Sequence, residues 1–254
     1  MASREVDPRP ESAAIGGVSS SSEESLKHRP LVLLVGNPNT GKTSLFNRLT
    51  GQNARIGNYP GVTVERRSGS SRLSGQADVE IVDLPGTYSL SARSAEEQIA
   101  LWAVLGQGQH PKPDLCVFVA DANQLGRNLY LALQLAELEL PLVVALNMID
   151  EVADNPPNPE EMERLLGVPC VAVSARRGTG ISALLAAIER GVADKPKAHA
   201  EVVYPEPLQK DAAELVRSLP AELCSSPGRN RALALWALTS IDDCLLYTSD
   251  AADE

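Results

Sequence analysis

Short apolar runs alternate with stretches of helical periodicity along the middle of the chain. Residues 31–35, 79–82, 115–120, 142–146 and 170–173 are rich in Val, Ile and Leu, the pattern of strands buried on both faces. Between them, helical periodicity runs over 42–50, 95–105, 127–138, 159–166 and 181–190. This rhythm predicts an α/β fold, a doubly wound, mainly parallel sheet with right-handed crossovers. Residues 62–73 are more polar and Ser-rich, and are expected to add an antiparallel strand at the sheet edge. Beyond Arg190 the strand pattern stops. Prolines at 196, 205 and 207 mark a linker, and helical patterning returns over 208–219 and 230–238. The expected division is a main domain over 30–194, then a linker and the start of a small helical domain over 195–243. Two helices bury little alone, so this piece is expected to dock on the main domain and to be cut short.

Composition narrows the classes without choosing among them. With 254 residues, 43% hydrophobic and 22% charged, the chain is neither collagen, coiled coil nor disordered throughout. No window carries the roughly eighteen apolar residues of a membrane helix, and the N-terminus lacks the apolar stretch of a signal peptide. A net charge of −10 argues against nucleic acid as the main partner, so phosphate recognition has to be local. The cysteines show no metal-ligand spacing, and a reducing cytosol suits them.

The two ends read differently from the middle. Residues 1–29, with the run Ser19, Ser20, Ser21, Ser22, Glu23, Glu24, are expected to be a disordered leader, a solvated tail in preference to a phosphorylation site. Residues 244–254 resemble the translation of a transposase adapter used in sequencing libraries, which would end the native sequence near Asp243. Removing them deletes three acids and no base and moves the net charge to −7; the conclusions above stand.

The chemistry starts where the first strand ends. Gly36, Asn37, Pro38, Asn39, Thr40, Gly41, Lys42 and Thr43 match G-x4-G-K-[ST] between a strand and a helix. The glycines let successive N–H groups turn inward, and the following helix adds positive potential. A triphosphate fits such a hollow, with Lys42 on the outer phosphates and the Thr43 hydroxyl a ligand for magnesium. Asp83, Leu84, Pro85 and Gly86 end another strand, which places Asp83 to hold magnesium through a water. Asn147, Met148, Ile149 and Asp150 follow a further strand. Asp150 can accept from N1–H and the 2-amino group of guanine, donors that adenine does not present on that edge, while Met148 can cover the base face. Ser174, Ala175 and Arg176 come next, with the Ala175 N–H placed for the guanine O6.

In that order these motifs resemble the GTP-binding domain of the ferrous iron transport protein B (FeoB) family, within the TRAFAC GTPases. The resemblance covers roughly 30–243. It is carried most by the string from Gly36 through Ser44 to Asn47 and by Gly57, Asn58, Tyr59, Pro60, Gly61, Val62, Thr63, Val64, Glu65, Arg66, which looks like that family's first switch. Asp83 to Tyr88 and Arg127 to Tyr130 add to it, and the helical end is similar to the start of the family's nucleotide-dissociation-inhibitor-like domain.

The resemblance implies that Thr63 ligates magnesium and meets the terminal phosphate when GTP is bound, and leaves afterwards. Thr87 stands where many GTPases carry a water-orienting glutamine. Asn39 matches an asparagine that helps hold potassium in related potassium-activated GTPases. Lys42, Thr63 and Asn39 are therefore the catalytic candidates, with Gly61 and Val62 beside the nucleotide. Bound groups would be GTP or GDP, Mg2+ and K+. The implied setting is the cytoplasmic face of a bacterial inner membrane, with the transporter's own transmembrane part as partner, ferrous iron as cargo, and room for small regulatory proteins. Alternative readings are a GTP-dependent sensor, or a different P-loop GTPase of ribosome assembly or tRNA modification. The acidic surface disfavours the latter. Glu96 and Glu97 are expected to form a solvated acidic face, His110 and His199 to be exposed, and Cys116 and Cys170 to be core residues.

Overall fold

The computed structural model describes residues 29–249 except 52–53, 60–61, 74–77, 92–93, 153–155, 199–201 and 222, with side chains described to residue 238. Residues 1–28, the bulk of the expected leader, and 250–254, the end of the adapter-like string, lie outside the described residues.

The apolar runs become strands with every end within one residue of the one the pattern predicts: Leu31–Gly36 (β1), Asp78–Asp83 (β4), Leu115–Asp121 (β5), Leu142–Asn147 (β6) and Cys170–Ala172 (β7). Ala54–Asn58 (β2) and Glu65–Arg72 (β3) complete a sheet of order β2-β3-β4-β1-β5-β6-β7. β1 pairs in parallel with both β4 and β5, and β6 and β7 extend the parallel part. β3 is antiparallel to β4, as the polar segment predicted. It starts later than expected and is not the edge, because β2 pairs outside it. All five residues of β2 are exposed. With no buried face it has no apolar alternation to read, and backbone pairing alone places it.

Helices Lys42–Thr50 (α1), Ala95–Leu105 (α2), Leu125–Glu137 (α3), Pro159–Leu166 (α4) and Ile181–Asp194 (α5) fall between the strands. Alternate β1 side chains feed opposite cores. Leu31, Leu33 and Val35 join Ile99, Val104, Leu131 and Leu135 of α2 and α3. Val32 and Leu34 join Leu45, Phe46, Leu184 and Ile188 of α1 and α5. Burying a side chain such as Leu34 or Phe46 contributes about 1.5–3 kcal/mol, which holds β1, and the loop after it, rigidly at the centre.

Helices Glu206–Val216 (α6) and Pro227–Ser249 (α7) start earlier than the pattern predicts. Pro205 and Pro207, read as linker punctuation, sit at the cap and in the first turn of α6, where a proline has no amide bond to lose. Ala212 of α6 meets Ala234 and Leu235 of α7. Leu233 enters the main core, and the Tyr204 hydroxyl donates to Glu137 Oε1 at 2.7 Å. Among the described residues no helix is long and apolar enough to cross a membrane.

Candidate functional site

The loops after β1, β4, β6 and β7 meet at the carboxyl edge of the sheet, the usual ligand edge of such folds. Gly36 ends β1, and Asn37, Pro38, Asn39, Gly41, Lys42, Thr43 and Ser44 line a hollow of about 340 Å³ closed by Gly86. Asn39 is exposed there, with a left-handed φ of 66°. Gly41 caps α1 at φ 73° with no side-chain bond to the first-turn amides, which are the helix's unsatisfied donors. A Cβ on Gly41 would collide with the Asn147 amide, so only glycine allows this loop and β6 to approach so closely.

Lys42 is 7% exposed, and its Nζ donates to Asp83 Oδ1 at 2.6 Å and to the Leu84 carbonyl. Thr43 Oγ1 donates to the other Asp83 oxygen, Oδ2, at 2.8 Å. Forty residues apart in sequence, the loop and the end of β4 form one charged cluster. The segment from Leu84 to Thr87 is tied down by Leu84 N to Leu34 O at 3.1 Å and Thr87 N to Gly36 O at 3.2 Å. Pro85 lies between them, half-buried. Asn37 is buried, and among the described residues its Oδ1 accepts no hydrogen bond.

Asn147 links three loops. Its Nδ2 donates to Thr40 O at 2.8 Å, and its Oδ1 accepts from Ala175 N at 3.0 Å. The Ala175 amide, expected to face the base, is thus engaged with Asn147, and a base at that position has to exchange this bond. Met148 has φ 62° and lies beside Gly41. Asp150 sits in a 3-10 turn, Ile149–Glu151, with its side chain only 6% exposed. The Ser174 hydroxyl bonded to its carboxylate, helped by Arg176 and Arg177, holds the Asp150 pKa below the usual carboxylate value. Arg48 of α1 clamps the same loop, donating to Ala175 O at 2.8 Å and Arg176 O at 2.7 Å. Arg48 and Arg177 were not singled out by motif reasoning, since lone arginines outside a motif carry no signal.

The first-switch candidates lie elsewhere. Thr63 and Val62 are exposed and line a different hollow with Asn58, Tyr59, Val64 and Ala95. Gly61 is outside the described residues. Two smaller expectations change. Glu96 is exposed, but Glu97 is half-buried and accepts from Thr87 Oγ1 at 3.3 Å and Ser89 Oγ at 3.2 Å. His110 is half-buried with its ring 5.6 Å from that of Tyr59; burial lowers its pKa. His199 lies outside the described residues, and Cys116 and Cys170 are buried as expected.

A doubly wound sheet whose first strand turns through a Gly-Lys-Thr loop into a helix, with the lysine on the carboxylate of the neighbouring strand, defines the class: a P-loop GTPase fold. The family described as Ferrous iron transport protein B matches residues 31–188, and the chain belongs to that family. It is 44% identical over 198 residues to the Fe(2+) transporter FeoB of Escherichia coli, a match spanning 75% of this chain but only 24% of that relative. Among solved structures, the cytosolic domain of L. pneumophila FeoB aligns at TM-score 0.69 and 38% identity, over 81% of this chain and 78% of that one. A point variant of S. thermophilus NFeoB bound to GDP aligns at 0.68 and 38%, over 81% and 77%.

Proposed function

We propose that this chain is the guanine-nucleotide switch of a ferrous iron transporter, binding GTP and GDP and hydrolysing GTP slowly at the cytoplasmic face of a bacterial inner membrane. The observation that carries the reading is the meeting at one sheet edge of the Lys42, Thr43 and Asp83 cluster with the sheltered Asp150 carboxylate. In this reading Lys42 leaves Asp83 to neutralise the outer phosphates, and the amides of Gly41 to Ser44 bind them. Met148 covers one face of the base, and Asp150 accepts from its N–C–N edge. A relative that binds GDP supports the guanine assignment, and the FeoB relatives support iron as cargo.

The donor set fits magnesium: two hard oxygens, Thr43 Oγ1 and Asp83 Oδ2, lie 2.8 Å apart beside the loop. Thr43, Asp83 and, after moving, Thr63 would hold it, and the ion would offset charge on the phosphates. Asn39, exposed on the hollow's rim, has an amide oxygen suited to potassium. Thr87, at the position where many GTPases carry a glutamine, is directed to Glu97 and Ser89 instead, and in this reading hydrolysis rests on positioning and charge. Titration with fluorescent GDP and ADP analogues tests the reading: GDP should bind far more tightly, and Asp150→Asn should remove the preference. Equal binding of both bases would refute it. Turnover in KCl should exceed turnover in NaCl at equal ionic strength, and Asn39→Ala should abolish the difference.

A further inference from the structure

Asp150 Oδ2 is buried, yet it accepts no hydrogen bond among the described residues. Two guanidinium groups lie over it at ion-pair range, Arg177 Nε at 3.1 Å and Arg176 Nη2 at 3.5 Å. Both side chains are largely exposed, 63% and 70%, so they are a removable cover over a fixed acceptor. The acceptor belongs to the 3-10 turn Ile149–Glu151, and Ser174, the largest cause of its lowered pKa, has its Oγ accepting from Arg177 N at 3.0 Å.

The chemistry of the cover matters. The edge of guanine that a carboxylate reads, N1–H, C2 and the 2-amino group, is itself an N–C–N donor fork, the same fork that arginine carries. Guanidinium and base therefore compete for one oxygen. Arg176 divides its fork between Asp150 and Glu151, with Nη1 to Oε1 at 3.3 Å, which leaves Arg177 as the closer rival.

We propose that Arg177, assisted by Arg176, is an internal competitor for the guanine-reading carboxylate and weakens nucleotide binding by occupying the acceptor the base requires. The inference rests on the guanine reading above. It makes Arg177 a positioning residue, acting through Asp150, whose displacement accompanies every entry of the base and whose return favours release. An exposed ion pair is a weak opponent, so the effect is about two- to fivefold in affinity. Because it is electrostatic, it fades as salt shortens the screening length from about 10 Å at 0.1 M to about 3 Å at 1 M.

The test is fluorescent-GDP titration of the full chain at both salt concentrations, in wild type, Arg177→Gln, Arg177→Lys and the Arg176→Gln/Arg177→Gln double variant, with circular dichroism as the fold control. Arg177→Gln should bind GDP about two- to fivefold more tightly at low salt, with the gain shrinking toward one at high salt. Arg177→Lys, which keeps the charge and loses the fork, should fall between. The weak binding of ADP, which does not use Asp150, should be the same in all four. Unchanged or weaker GDP binding by Arg177→Gln would overturn the competition, as would a gain that persists at high salt. A wild-type protein that does not prefer GDP to ADP would instead sink the guanine reading itself.

Discussion

Asn147 uses both ends of one amide, donating to the phosphate loop and accepting from the loop after β7. Both partners are buried, so Asn147→Ala leaves Thr40 O and Ala175 N–H without their bond. The expected cost is about 1–3 kcal/mol for each group left unsatisfied, read as a lower urea midpoint, with guanine affinity falling as well. Asp150 behaves differently, because its pKa is depressed and the proposed guanine contact needs it charged. A depressed carboxylate stays ionised below the ordinary value near 4 and loses its contribution only as pH falls through the lower folded value. Guanine binding should therefore persist into that acid range. Removing the largest cause of the depression with Ser174→Ala should move the acid midpoint of GDP binding upward, as a pH series of titrations would show.

At the scale of elements, the loop from Gly36 to Thr43 was legible because its residue types are dictated locally, by turn geometry and helix start. Gly41 shows how strictly. With φ 73° and the Asn147 amide against it, Gly41→Ala meets a left-handed penalty of about 1–2 kcal/mol and a collision together. Loss of nucleotide binding and a lower melting temperature are expected, measured by titration and thermal unfolding. The strand β2 was not legible, since five exposed residues held by pairing carry no pattern. The role of Glu97 was also hidden. In sequence it looks like any first-turn acid on α2, and only the packing of that helix brings it to Thr87 and Ser89.

Across the whole molecule, the helical end shares the main core. Leu233 of α7 is 2% exposed within the cluster built by α2 and α3. Leu233→Ala should cost about 2–5 kcal/mol, and it should lower a single unfolding transition, followed by urea denaturation. Two separate transitions would show that the helical end folds independently. The alternation of apolar runs and helical stretches determined the class of sheet, and the ordered motifs determined which residues are the candidates for holding phosphate and for reading the base. These are properties of near neighbours, where periodicity and turn chemistry act over a few residues. Only the tertiary structure decided that Lys42 rests on Asp83, that Asn147 ties three loops, and that Arg177 covers Asp150. Those contacts join residues 41, 107 and 27 positions apart, and what brings them together is the packing of a common core, which no local pattern encodes.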